Sequence, residues 1–107
     1  MGRQRKASEV GVLVLATLAD AERHGYAIIG EIRSMSGGRT SIGTGTLYGT
    51  LERLQDDGCI EASREEIVDG RLRRYYRITD DGRGVLADEV AHQEQWVVAT
   101  RARLAGA

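Results

Sequence analysis

The 107-residue chain contains no proline and no phenylalanine, and it has a single cysteine, Cys59. Without proline, its turns must be set by the fourteen glycines and by charged residues. A lone thiol excludes an internal disulfide framework and a cysteine-rich zinc site. Because Cys59 stands next to Ile60 in an apolar stretch, we expect a buried structural cysteine and not a redox sensor.

Histidine is also scarce, with only His24 and His92 and no pair at metal-ligand spacing. We therefore expect no metal site and no cofactor. No Ser-His-Asp, Cys-His or paired-carboxylate arrangement stands at a catalytic spacing. The glycine-rich residues 43–45 lack the preceding strand and the lysine of a nucleotide-binding loop. These absences predict that the protein is not an enzyme.

Long apolar runs are missing as well. The most hydrophobic segment, residues 10–19, is about half as long as the roughly 20 residues that span a membrane. Basic residues precede it and Ala19-Asp20-Ala21 follows it, which is the outline of a secretory signal. However, Glu9 opens the run, and cleavage would remove the most hydrophobic part of a small core. We expect a cytoplasmic protein with no membrane partner.

Charge is nearly balanced over the chain, with a formal net charge of -1, but it is unevenly distributed. Residues 1–6 contain three basic residues and residues 71–77 contain four, with no acid in either segment. From residue 79 onward, acidic residues outnumber basic ones. The whole-chain charge therefore suggests no polyanionic partner, but two basic segments separated from an acidic C-terminal part are an asymmetry that needs an explanation.

Hydrophobic periodicity predicts three helices in the first half of the chain. Residues 8–19 are apolar on nearly every side, which predicts a buried helix capped by Ser8. A polar break at residues 20–24 precedes an amphipathic helix closed by Gly37 and Gly38. The third helix extends over residues 44–57 and ends before Gly58. Its inner stripe is Leu47, Leu51 and Leu54, and its outer face carries Thr44, Thr46, Tyr48, Gly49, Thr50 and Arg53.

The period changes after Gly58. Residues 60–68 and 72–78 read as two strands around Asp69-Gly70, a strong hairpin signal. Thr79 then begins a long final helix. Spacings of four and three residues along this helix predict a seam for a partner helix, formed by Leu86, Val90, Gln93, Val97, Thr100 and Leu104.

This order of elements predicts a mainly α fold with a β-hairpin (α+β), namely a winged helix-turn-helix with a long C-terminal dimerisation helix. Residues 1–78 would form the DNA-binding domain and residues 79–107 the dimerisation helix. The third helix is polar outside and can lie in a major groove, while the basic hairpin tip reaches phosphates or an adjacent minor groove.

Three segments resemble the PadR family of bacterial transcriptional regulators. The first is residues 15–32 with its His-Gly-Tyr motif, the second is residues 45–58 beginning Gly-Thr-Leu-Tyr, and the third is residues 70–82 with Tyr-Tyr-Arg-Ile-Thr-x-x-Gly. The resemblance extends over about residues 8–84. The sequence departs from the family pattern at two positions: Gly49 stands where proline is usual, and Gly43 stands where serine or asparagine is usual.

The resemblance implies a homodimer that binds a short inverted-repeat operator in double-stranded DNA. It also implies a repressor that a small aromatic or cationic effector releases, of the short kind without a separate C-terminal domain. The DNA half-site that the family prefers cannot be assigned to this chain, because Gly49 widens the approach to DNA. Gly49 also costs about 1 kcal/mol of helix propensity.

The candidate DNA-binding residues fall into two groups. On the third helix they are Thr44, Thr46, Tyr48, Gly49 and Arg53, and on the hairpin they are Arg71, Arg73 and Arg74. The alternatives are a solvated helix face and a charged hairpin edge that prevents aggregation. The basic segment Arg3, Arg5 and Lys6 is either an arm that adds phosphate contacts or a solvated tail. Tyr26 and Tyr76 are expected in the core with hydroxyls that reach water.

Trp96, beside the seam, is the candidate ligand-binding residue. It either packs against the partner subunit or lines a pocket between subunits, where it stacks on a planar effector or attracts a cationic one. Asp88, Glu89 and Glu94 are candidate counter-charges for a cationic effector. The alternative function for the whole chain is a winged-helix protein-interaction module that does not bind DNA, which the near-zero net charge favours and the two basic segments disfavour.

Overall fold

Four helices and a three-stranded sheet make up the computed structural model, which describes residues 7–106. The predicted basic arm at Arg3, Arg5 and Lys6 lies outside the described residues. In chain order the elements are α1 (Glu9–Thr17), β1 (Arg23–His24), α2 (Gly25–Met35), α3 (Thr44–Asp56), β2 (Ile60–Val68), β3 (Arg71–Ile78) and α4 (Asp80–Ala105). The mainly α winged helix-turn-helix with a hairpin and a long C-terminal helix is confirmed.

The helix ends follow the local sequence. The Ser8 hydroxyl caps α1 by accepting a hydrogen bond from the Gly11 amide at 3.0 Å. At the end of α3, Gly58 has φ +76°, and the Cys59 and Gly58 amides donate to the carbonyls of Leu54 and Gln55. This is a Schellman ending, which requires a left-handed residue and so favours glycine. The predicted stop at Gly58 is confirmed.

The core lies between α1, α2, α3 and one face of the sheet. Its buried side chains include the predicted inner stripe of α3, Leu47, Leu51 and Leu54. Cys59 is buried among them, as the sequence predicted. Helix α1 supplies buried side chains and α2 contributes Ile28 and Ile32. This packing fixes α3 so that its opposite face points away from the domain.

The sheet has the strand order β1-β3-β2, and both pairings are antiparallel. Its long hairpin, which we call the wing (residues 60–78), turns at Asp69 and Gly70, with φ values of +51° and +76°. Two successive positive φ values define the tight turn that an Asp-Gly pair favours. Strand β1 was not predicted because residues 20–24 were read as a polar break. It comprises only two residues, which pair with Tyr75 and Tyr76 and are too few for any periodicity.

Two further predictions about side chains were wrong. Tyr26 is 76% exposed, because the buried positions of α2 are Gly25, Ile28 and Ile32. Thr50 is buried at 6% exposure. Its hydroxyl donates a hydrogen bond to the Thr46 carbonyl at 2.8 Å, so the polar group has a partner inside the core. Tyr76 is buried as predicted.

Helix α4 is 26 residues long, or about 39 Å at 1.5 Å per residue. The Thr79 hydroxyl caps its start by accepting from the Gly82 amide, and it also donates to the Gly58 carbonyl at 2.6 Å. Val85 and Leu86 pack against the core. Gly82 is the one buried residue of this helix, and residues 90–99 are all exposed. Most of α4 therefore extends away from the domain with its side chains uncovered.

Candidate nucleic-acid interface

The outer face of α3 is exposed as the sequence predicted, except at the buried Thr50. Thr44, Thr46, Tyr48, Gly49 and Arg53 all lie on the solvent side of this helix. Its N-cap is Gly43, which has no side chain to bond the first-turn amides. Free amides at a helix start carry partial positive charge and can bind an anion such as a phosphate. The face thus offers small hydroxyl-bearing side chains, one aromatic ring and one arginine.

Tyr48 is held in place by the first residue of α2. A methyl group added at Gly25 would lie 2.7 Å from the Tyr48 hydroxyl and 3.2 Å from a Leu47 methyl. Only glycine therefore allows the phenol ring to lie this close to α2. The ring is half-exposed, so one side packs on α2 and the other remains available to a partner.

Ion pairs neutralise much of the positive charge of the wing. Arg74 pairs with Glu65 at 3.0 Å, Arg77 pairs with Glu61 at 2.6 Å, and Arg64 pairs with both Glu22 and Glu66. These partners are exposed, so the pairs add little stability, but they occupy the guanidinium groups. The hydrogen bond from Arg74 to Glu65 raises the pKa of Arg74 above its usual value.

Arg71 and Arg73 differ from the other wing arginines. Neither forms an ion pair within residues 7–106. Arg71 is exposed beside the turn, and Arg73 is half-buried on the opposite face of β3 from Arg74. Of the three predicted wing contacts, Arg74 is already paired, whereas the other two form no ion pair within the described residues. Arg73 lies across the hairpin from Glu66, and its positive charge helps to lower the pKa of that carboxyl group.

An open cleft of about 600 Å³ separates the wing from the helices. Its walls carry Tyr26 and Tyr48 on the helix side and Leu72, Arg71 and Arg73 on the wing side. The ion-paired Arg74 also lines the cleft, which therefore connects the outer face of α3 with three wing arginines. Tyr26, which the sequence had placed in the core, lies on this surface.

A polar cluster that the sequence did not predict attaches β1 to the wing. The Arg64 guanidinium lies 3.8 Å from the centre of the Tyr75 ring, and the Tyr75 hydroxyl donates to Glu66. These contacts lower the pKa of Glu66, through the Tyr75 hydrogen bond first and then through Arg64. The hydrogen bond from Arg64 likewise lowers the pKa of Glu22. Both carboxylates stay charged at neutral pH and hold Arg64 in the cluster.

His24 connects this cluster with α2. Its ring meets Tyr75 edge to face with centroids 5.3 Å apart, and its Nδ1 accepts a hydrogen bond from the Ala27 amide at 3.3 Å. Partial burial lowers the pKa of His24, and the nearby positive charge of Arg73 lowers it further. The neutral ring is the form that can cap the helix, because a protonated Nδ1 has no lone pair to accept the bond.

The predicted seam lies along one side of α4. Leu86 and Thr100 are half-buried, while Val90, Gln93, Val97 and Leu104 are exposed. Trp96 is 65% exposed and lies beside a shallow depression with His92 and Gln93. A single chain therefore leaves an aromatic and several aliphatic side chains in water.

Residues 7–106 contain no group of three or more potential metal ligands. Within the same part of the chain, no helix is both long and apolar enough to cross a membrane.

An exposed polar helix beside a basic hairpin defines the winged-helix class of proteins, and comparison with known proteins narrows the class. Residues 14–88 match the model of the transcriptional regulator PadR-like family. The chain is 41% identical over 87 residues to the transcriptional regulator Rv3488 of Mycobacterium tuberculosis, covering 81% of this chain and 78% of that protein. The chain belongs to the PadR-like family and is a transcriptional regulator, not an enzyme.

The solved structures with a similar fold include two transcriptional regulators from other bacteria. A transcriptional regulator from Clostridium thermocellum superposes with a TM-score of 0.70 at 27% identity, over 87% of both chains. Bacillus subtilis PadR, solved in complex with operator DNA, superposes with a TM-score of 0.68 at 26% identity. That match covers 77% of this chain and 46% of the B. subtilis chain, so the similarity concerns about half of the B. subtilis protein.

Proposed function

We propose that the chain is a homodimeric repressor that binds an inverted-repeat operator and is released by a small aromatic or cationic molecule. The observation that carries the proposal is the exposed face of α3 beside a wing with two unpaired arginines, Arg71 and Arg73. The similarity to B. subtilis PadR, whose structure contains operator DNA, supports a DNA partner. DNA binding implies a cytoplasmic location.

In this proposal residues 1–78 bind DNA and residues 79–107 form the dimerisation helix. Helix α3 enters the major groove, where Thr44, Thr46, Tyr48 and Gly49 approach base edges and Arg53 approaches the backbone. The wing arginines contact phosphates. Arg74 contributes less than Arg71 and Arg73, because its guanidinium group is already paired with Glu65. The seam Leu86, Val90, Gln93, Val97, Thr100 and Leu104 packs on a second copy. Dimerisation would place two recognition helices about 34 Å apart, one turn of DNA.

Two substitutions separate phosphate contacts from base contacts. Arg73→Ala is expected to weaken binding to every duplex and to reduce the slope of log affinity against log salt by about 0.9. Thr46→Ala is expected to leave that slope unchanged and to change the preference at one base position by about 1 kcal/mol. Fluorescence anisotropy with a duplex selected by the full chain from a random library measures both quantities.

Arg77→Ala is the matched control for Arg73→Ala. It removes the same charge from the same face of β3, but Arg77 already pairs with Glu61, so its salt slope should stay near that of the unmodified chain. Equal slopes for the unmodified chain and Arg73→Ala would contradict the placement of Arg73 on a phosphate.

Release by an effector is proposed to involve Trp96. Because Trp96 is the sole tryptophan of the chain, its fluorescence reports one position. Titration with planar aromatic and cationic compounds is expected to give saturable quenching, with loss of DNA binding over the same concentration range. Trp96→Leu, which keeps apolar bulk, should bind DNA but no longer release it with the same compound. Quenching without any loss of DNA binding would contradict the proposed release.

The second candidate function is a protein-interaction module. Strand β2 is an edge of the sheet, and edge strands can add a strand from another chain. Acidic side chains along β2, such as Glu61 and Glu65, oppose such pairing. This candidate predicts that no duplex is enriched from the random library, whereas the DNA-binding proposal predicts a consensus sequence.

A further inference from the structure

Strand β1 covers only part of the edge of β3 beside which it lies. Its two residues pair with Tyr75 and Tyr76, and the chain then enters α2 at Gly25. Within residues 7–106 no other strand lies on this side of β3, because the sheet order is β1-β3-β2. Residues 71–74 therefore have β2 on one side and an open edge on the other. An open strand edge can accept a strand from another molecule.

The hairpin turn determines which main-chain groups face the open edge. In a hairpin with a two-residue loop, the residues that flank the loop exchange hydrogen bonds with each other, and here these are Val68 and Arg71. The direction of the amide and carbonyl groups then alternates along the strand. Arg73 therefore bonds towards β2, whereas Leu72 and Arg74 direct their amides and carbonyls to the open edge. An added strand can form main-chain hydrogen bonds with both of these residues.

The open edge forms one wall of the cleft between the wing and the helices. Residues 71–74 line the cleft on the wing side, and Tyr26 and Tyr48 line it on the helix side. Its volume of about 600 Å³ is in the range of ligand-binding clefts. Both tyrosine rings are exposed and offer an apolar wall opposite the strand. The cleft therefore has room for an extended segment beside β3.

Side chains on the two faces of β3 specify the sequence of an added strand. Arg71 and Arg73 lie on one face, and Leu72 and Arg74 lie on the other. Neither Arg71 nor Arg73 forms an ion pair within the described residues, although Glu66 lies across the hairpin from Arg73. Opposite charges that face each other on neighbouring strands are favourable. The favoured segment therefore has acidic residues opposite Arg71 and Arg73, and an apolar residue between them.

Charge distinguishes this edge from the other open edge of the sheet. The outer edge of β2 carries Glu61, Glu65 and Glu66, which disfavour an acidic strand. The N-terminal segment of the chain cannot supply the acidic strand, because residues 1–6 contain no acidic residue. The occupant that complements the open edge of β3 is an acidic extended segment of a different protein.

We propose that residues 71–74 of β3 bind an extended acidic segment of another protein as an added strand. Leu72 and Arg74 supply the main-chain hydrogen bonds. Arg71 and Arg73 pair with the acidic side chains. The segment lies between the wing and α3 and excludes DNA from the same space, independently of the effector site proposed on α4. This displacement rests on the proposed DNA-binding function, whereas the addition of a strand does not.

The test uses the full chain without DNA and a blocked peptide, acetyl-Thr-Val-Glu-Val-Glu-Thr-amide. Antiparallel addition places its valines opposite Arg74 and Leu72 and its glutamates opposite Arg73 and Arg71. Nuclear magnetic resonance of the isotope-labelled chain is expected to show saturable binding. At saturation, hydrogen exchange of the Leu72 and Arg74 amides should be about tenfold slower, because both become hydrogen-bonded. The Arg73 amide already bonds towards β2 and should be unchanged.

Modified peptides separate the main-chain bonds from the charge. Methylating both valine nitrogens removes the donors that face β3 and is expected to weaken binding about tenfold or more. Methylating both glutamate nitrogens, which face away from β3, keeps those donors and should weaken binding less. Replacing both glutamates by lysine keeps the donors but reverses the charge, and this peptide should not bind.

Two variants of the chain test the arginines. Arg71→Gln/Arg73→Gln removes both unpaired charges and is expected to bind the acidic peptide about tenfold more weakly, as expected for the loss of two exposed charge pairs. Arg77→Gln is the matched control, because Arg77 lies on the same face of β3 but outside the open edge and pairs with Glu61. It should bind the peptide like the unmodified chain.

A competition measurement tests the displacement of DNA. The acidic peptide is added to the chain bound to the duplex that is selected from the random library. The parent peptide is expected to displace the duplex. The peptide methylated at both valines carries the same charge and should leave the duplex bound. Simultaneous binding of the parent peptide and the duplex would contradict the proposed displacement.

Three results would overturn the added strand. The first is no binding of the parent peptide up to about 1 mM. The second is exchange of the Leu72 and Arg74 amides at equal rates with and without saturating peptide. The third is equally tight binding of the valine-methylated peptide, because charge alone then accounts for the complex. A selection that yields no consensus duplex contradicts the proposed DNA-binding function instead, and the exchange measurement still decides whether a strand is added.

Discussion

Gly82→Ala is expected to lower the free energy of unfolding by about 3 kcal/mol or more. The added methyl group would lie 2.1 Å from the Cys59 carbonyl oxygen and 2.9 Å from a carbon of the Ile78 side chain. The Cys59 oxygen already accepts a hydrogen bond from the Thr79 amide at 3.0 Å, so it cannot move aside cheaply. The first turn of α4 must shift away from the junction with α3 and the sheet.

Thermal unfolding followed by circular dichroism measures this effect. For a domain of this size, 3 kcal/mol corresponds to a melting temperature lower by roughly 15 °C. Gly84→Ala is the matched control: it lies in the same helix, but a methyl group there meets no atom within 4 Å. It should be neutral or stabilise by up to about 1 kcal/mol. Equal melting temperatures for the two variants, at one protein concentration, would contradict the close contact at Gly82.

Val97→Glu is expected to raise the dimer dissociation constant at least 100-fold. Val97 is in the middle of the proposed seam, and two copies of the variant would place two unpaired carboxylates in an apolar interface. Burying an unpaired charge in this way costs about 3 kcal/mol or more, which corresponds to roughly a hundredfold change. DNA affinity should decrease with it, since a monomer contacts one half-site. Analytical ultracentrifugation and anisotropy measure the two effects.

Gln95→Glu is the control for the added charge. Residue 95 lies two positions before Val97, about 200° around the helix, and is exposed. Its carboxylate would face solvent in the proposed dimer, so both dimerisation and DNA binding should be nearly unchanged. A Val97→Glu chain that stays dimeric at the concentrations where the unmodified chain is dimeric would contradict the proposed seam.

The elements that the sequence predicted well are those specified by local chemistry. The leucine stripe of α3, the end of α3 at Gly58 and the hairpin turn at Asp69-Gly70 each depend on neighbouring residues. The turn also sets the register of the wing, so the pair between Glu65 and Arg74 could have been inferred by counting back equally from the turn on both strands. The register shifts between Ala62 and Arg64, and no feature of the sequence predicted this shift.

The elements that the sequence did not reveal depend on contacts between distant segments. The ion pair of Glu22 with Arg64 joins residues 42 positions apart. The exposure of Tyr26 depends on which side of α2 faces the core, and its aromatic character alone led to the wrong prediction of a core position. Thr50 was placed outside because threonine is polar, although its hydroxyl can bond to its own helix. Which wing arginines are unpaired was likewise visible only once the strands were paired.

Selection of duplexes from a random DNA library by the full chain tests the central claim most directly. If the chain is a dimeric operator-binding regulator, the enriched duplexes share a two-fold symmetric sequence. The centres of its half-sites should lie about 10 base pairs apart, or a multiple of this distance, and binding should weaken steeply as salt increases. Enrichment of no common sequence, or binding that does not respond to salt, would contradict the account.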